Sequence, residues 1–176
     1  MSFESRGRFE RIEGRIALRF ERQLSYPPDR VWSALTTPAA IAAWFPCRID
    51  GQLTTTGSAL SFVFSGSNDA ATTGTVLAAE PTRSLRFTWI DDELRFALEP
   101  ARGGTALTFI DLMPDDFEPA AARTAAGWHV CLDSLIEHLA TGNLDPPSNE
   151  ADENFRAVYD LYVADGLPNE VPLPGR

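Results

Sequence analysis

Between residues 58 and 112 the chain repeats one device, strand-length segments with alternating apolar residues, separated by turn chemistry. Leu85, Phe87 and Trp89 share a face of a segment at 84–91; Leu94, Phe96 and Leu98 share a face of 93–100; Leu107, Phe109 and Asp111 fall together on 104–112. Side chains alternate across a strand, so each segment has one oily and one polar face. Tight turns at Asp91-Asp92 and Arg102-Gly103-Gly104 make the neighbours antiparallel. An antiparallel sheet with one oily face needs a cover. The cover is the segment Pro119 to Thr141. There Ala121, Thr124, Trp128, Cys131, Leu132, Leu135 and Leu139 fall in one stripe at about 100° per residue, with Gly142 as the stop.

Upstream, Arg8 to Ser25 reads as one long first strand with a bulge or break at Gly14, ended by Tyr26-Pro27-Pro28. Proline is tolerated in a first helical turn, which predicts short helices at Pro28–Leu35 and from Thr37-Pro38 to about Trp44. Further strands are expected near 46–52, 58–64 and 73–80, with a polar loop at 65–69. Beyond Gly142, residues 143–150 read as a Pro-rich linker and Asp152–Ala164 as an amphipathic helix (Phe155, Val158, Tyr159, Tyr162). A disordered end follows Gly166 and Pro168.

With 176 residues, 44% of them hydrophobic, the chain suits one globular domain. No apolar run is long enough to span a membrane, and residues 1–13 carry no signal-peptide core, so a cytoplasmic location is expected. The net charge of −10, with no basic run, argues against nucleic acid and anionic membrane as partners. All fifteen basic residues are arginine, which excludes Schiff-base chemistry and a phosphate-loop lysine. Cys47 and Cys131 lack metal-type or redox-type spacing, and His129 and His138 are about 900° apart on one helix. No metal and no cofactor is expected.

The string Val31-Trp32-Ser33-Ala34-Leu35-Thr36-Thr37-Pro38 followed by Trp44-Phe45 resembles the activator of heat-shock-protein-90 ATPase homologue-like family. So do Gly74-Thr75-Val76 with Glu80-Pro81, the run Leu85 to Trp89, the run Gly104 to Thr108, and Gly127-Trp128. The resemblance spans about residues 15 to 141. It lies within the superfamily of START, polyketide-cyclase and birch-pollen-allergen-like (SRPBCC) domains. It implies an α+β helix-grip fold, a curved antiparallel sheet wrapped around a long C-terminal helix, with two short helices after the first strand. Residues 8–142 would form that START-like domain, and 143–176 a C-terminal linker, short helix and tail. The resemblance also implies a hydrophobic cavity between sheet and helix. Where many relatives carry a histidine at the end of the last strand, this chain has Asp111.

The candidate walls of such a cavity are Trp44, Phe62, Phe64, Phe87, Trp89, Phe96, Phe109, Trp128, Cys131, Leu132 and Leu135, with Asp111 as a polar handle. Plain core packing is the leading alternative for each of these apolar residues, and Trp32 reads as core. A buried Asp111 would have a raised pKa; one at the strand end would face water. The acidic pairs Asp91-Asp92 and Asp115-Asp116 read as turn chemistry. Three functions follow. The first is a carrier or sensor of a small apolar molecule, as monomer or homodimer. The second is a cyclase- or hydrolase-like enzyme using Asp111 or His129 as base. The third is stimulation of a chaperone ATPase. No catalytic motif supports assigning catalytic residues.

Overall fold

The computed structural model describes residues 6–64, 72–147, 149, 152–171 and 173. The strands are β1 (Arg8–Ile12), β2 (Arg15–Leu24), β3 (Arg48–Asp50), β4 (Ala59–Val63), β5 (Thr72–Glu80), β6 (Ser84–Trp89), β7 (Asp92–Ala101) and β8 (Gly104–Met113). They form one antiparallel sheet in the order β1-β2-β8-β7-β6-β5-β4-β3. Helices α1 (Pro28–Thr36) and α2 (Pro38–Ile41) follow β2, as expected, and α3 (Ala121–Thr141) and α4 (Glu153–Ala164) follow β8. This is the helix-grip arrangement that the family resemblance implies.

Register explains the oily face. Phe20 pairs with Phe109 across β2 and β8, and Phe109 with Phe96 across β8 and β7. Phe87 and Phe62 continue the row, with neighbouring ring centroids 4.7 to 6.4 Å apart from Phe20 to Phe62. Cross-strand aromatic pairs contribute up to about 1 kcal/mol each beyond area burial. Helix α3 meets this row through Trp128, whose ring lies 4.7 Å from Phe109, and buries Leu132, Leu135 and Leu139 in the same core. Helix α1 buries Val31, Trp32 and Leu35, and its Arg30 donates to the Leu139 carbonyl at the end of α3. The indole of Trp44 donates to the Ala34 carbonyl at 2.9 Å, tying the chain after α2 to α1.

Several local expectations change. The first strand is a hairpin, not one strand. Glu13 (φ 54°) and Gly14 (φ 81°) form a two-residue turn, the positive-φ pair that matches strand twist. The β6–β7 turn is Ile90-Asp91, with Trp89 paired to Asp92, so Asp92 is a strand residue. Asp115 and Asp116 open a 3-10 turn (Asp115–Ala120), which delays α3 to Ala121. The loop expected at 65–69 lies outside the described residues. The tail is not loose over 167–171. Ala122 donates to the Pro168 carbonyl, Val171 to that of Pro119, and Leu173 is buried.

Gly104 opens β8 at φ 158°, where a Cβ would sit 1.9 Å from the Leu24 carbonyl oxygen. Backbone cannot yield as a side chain does. Gly104→Ala is therefore expected to cost about 2 kcal/mol or more in urea unfolding. Gly142→Ala, at a left-handed helix end with open space around it, should cost about 1 kcal/mol.

Candidate functional site

A half-open cavity of about 680 Å³ lies at one end of the sheet, beside the N-terminal half of α3. The helix contributes Arg123, Thr124, Gly127, Trp128 and Cys131, one face at helical spacing. The sheet contributes Phe64, Trp89 and the Ile90-Asp91 turn with Asp92; the chain after α2 contributes Phe45 and Pro46. Phe117 and Ala120 come from the 3-10 turn. Pro146, Pro147, Asn149 and the α4 residue Phe155 close the far side. Ile90 holds φ 58°, a strained value for a β-branched residue, and is 45% exposed at this rim.

Of the side chains predicted as walls, Phe64, Trp89, Trp128 and Cys131 border this space. Trp44, Phe62, Phe87, Phe96, Phe109, Leu132 and Leu135 do not; they are buried in the core between sheet and helices. Their inward direction was readable, but a void forms only beside the N-terminal half of α3. Phe45, Phe117, Phe155 and the prolines of the linker were not anticipated. Their contribution depends on how the turn, the linker and α4 fold back. Burial raises the Cys131 thiol well above its usual range, so it stays an inert apolar wall. The Cys47 thiol is likewise pushed up by burial, to about 12.

Asp111 is wholly buried and faces the helix, not water. Its Oδ2 accepts from the Trp128 indole N–H at 2.6 Å, while Oδ1 has no partner. Burial first, then the nearby Asp92, drives its pKa well above the usual carboxylate range. Asp111 does not line the cavity; Trp128 stands at the wall and hydrogen-bonds to it. Asp92 does line it. It lies two residues before Leu94, the cross-strand partner of Asp111, and so on the same face of the sheet. Burial and the adjacent Asp91 push the Asp92 pKa up to about 7, with Arg15 opposing.

His129 does not reach the cavity. It lies under α4, its Nδ1 sharing a 2.8 Å hydrogen bond with the Tyr162 hydroxyl, and burial lowers its pKa. The same hydroxyl accepts from the Gly7 amide, so α4 is docked on both α3 and the N-terminal strand region. The described residues include no group of three His, Cys, Asp or Glu side chains able to hold a metal. No described helix is long and apolar enough to cross a membrane.

A helix-grip container with an open end is thus the class of structure. The family model described as Activator of Hsp90 ATPase homolog 1-like protein matches residues 25–140, and the chain belongs to that family. No curated protein matches it. Among solved structures it is similar to a conserved protein of unknown function from Enterococcus faecalis, with TM-score 0.73 and 23% identity over 90% of this chain and 89% of that one. CalU16 from Micromonospora echinospora gives TM-score 0.66 and 23% identity over 92% and 96%. DynU16, from the dynemicin biosynthetic locus, gives TM-score 0.63 and 27% identity over 73% of this chain and 48% of that one.

The Asp111 carboxyl holds its proton to higher pH in the folded protein than in the unfolded chain. The folded state thus binds more protons once pH exceeds about 4, the ordinary unfolded value, and stability falls as pH rises from there. Asp111→Asn should flatten this dependence, gaining on wild type between pH 5 and 8 in urea unfolding. Trp128→Phe strips the remaining partner from Oδ2 and should cost about 1–3 kcal/mol.

Proposed function

We propose that this protein binds a small hydrophobic molecule in the cavity beside α3, as a carrier or sensor. The observation that carries the reading is an opening of about 680 Å³ walled by Phe45, Phe64, Trp89, Trp128, Phe117 and Phe155. Ligand sites commonly have this volume and this mix of aromatic walls with few polar groups. Apolar surface buried there stabilises a complex by about 25 cal/mol per Å², less the cost of immobilising the guest. DynU16, similar in fold, is a putative protein in the dynemicin biosynthetic locus, which supports a guest of biosynthetic origin. Phe155 and the linker prolines form the outer wall, so α4 and its linker serve as the lid.

A second reading, an enzyme using the same cavity, is favoured by one feature. Asp92 borders the space with a pKa near 7, suited to proton transfer at neutral pH. It replaces Asp111 and His129 as the candidate base, since neither of those borders the cavity.

Gly127 is the place to test occupancy. A Cβ there meets only Phe155, at 4.0 Å, so a larger side chain grows into the cavity. Gly127→Ala should stabilise α3 by about 0.5–1 kcal/mol through helix propensity. An apolar multi-ring compound at tenfold its Kd should raise the wild-type Tm by about 3–5 °C. Gly127→Leu should abolish that shift while unfolding stays cooperative. If fatty acids, isoprenoids, aromatic polyketides and apolar amines all leave the wild-type Tm unchanged, the proposal fails.

A further inference from the structure

We propose that the guest of this cavity is a hydrophobic amine, its protonated nitrogen held against Asp92 and Asp91 and its apolar body against the aromatic wall. This rests on the cavity reading above and adds the chemistry of the guest. The two carboxyls are adjacent at the β6–β7 turn and both border the space. Asp92 is poorly compensated, because its Oδ1 is buried with no hydrogen-bond partner. The nearby Arg15 is occupied elsewhere: it donates to the Leu112 carbonyl at 2.8 Å and lies 3.9 Å from Glu93. The cationic side chain on the described wall, Arg123, already interacts with neighbouring groups. The chain contains no lysine, so it has no flexible ammonium of its own to fill the gap.

The aromatic walls favour the same guest. Trp89 and Trp128 meet edge to face at 5.2 Å, and Phe45 lies 5.5 Å from Trp89 and 5.6 Å from Trp128. Ring faces attract cations while edges and rims hold hydrocarbon, so such walls suit a positive head on an apolar body. A carboxylate-bearing guest would meet two like charges, and a neutral one would leave Asp92 as poorly paired as before. An ammonium restores the charged form of Asp92 by ion pairing, which offsets the burial that raises its pKa.

The test is a matched set of naphthalenes differing only in the head group: 1-naphthylmethylamine, 1-naphthalenemethanol and 1-naphthaleneacetic acid, titrated calorimetrically into the full chain at pH 8. The amine should bind about tenfold more tightly than the alcohol, and the acid most weakly, as expected for a charge-assisted pair. In Asp92→Asn the amine-to-alcohol ratio should fall toward one, and Asp91→Asn should lower it part of the way. If the alcohol or the acid binds as tightly as the amine, the inference is overturned while the cavity reading stands. If none of the three binds, the inference is overturned, and the melting-temperature series above decides the cavity reading separately. The wild-type series decides the matter even where a variant fails to fold.

Discussion

Trp128 is the side chain on which sheet and helix depend for each other. Its ring lies 4.7 Å from Phe109 and 5.2 Å from Trp89, so it joins the phenylalanine row to the β6–β7 end of the sheet. Its indole N–H, buried and in need of an acceptor, finds one in Asp111 on β8. That bond fixes the rotation of α3 over the sheet. The arrangement requires a carboxyl in the deepest layer of the core, where burial makes it hold its proton to higher pH than it would in water.

The same residue marks the boundary between packed core and open space. On one side of Trp128 lie the buried Phe96, Phe109, Leu132 and Leu135; on the other lies the cavity. Small residues continue the helix face there, Gly127 and Thr124, and withdraw bulk where the sheet ends. What encloses the gap is the chain beyond α3. The linker prolines and Phe155 stand opposite the sheet, anchored by Tyr162 on His129 and Gly7 and by the hydrogen bonds of residues 168 and 171.

The sheet was legible because its signal is local and repeated. Alternation over 84–112 fixes which residues face inward, and turn residues fix where strands end, to within a residue or two. The hairpin at Ile90-Asp91 shows the limit. A turn centred one residue earlier moves Asp92 from loop to strand and turns its side chain inward, into the cavity. Asp111 likewise belongs to an inward-facing run in the sequence, yet only the pairing of β8 between β2 and β7 makes it interior. The expected site blended two populations, residues that merely face inward and residues that border a void. Periodicity reports only the first.

The sequence alone determined that an antiparallel wall with one oily face must be covered by a single long striped helix, because period-2 and period-3.6 patterns admit no other partition of the apolar residues. The tertiary structure alone decided where that cover leaves a gap, which carboxyls face it and how the C-terminal helix closes over it. Those outcomes come from side-chain volume and packing summed over residues distant in the chain. No local pattern encodes such a sum.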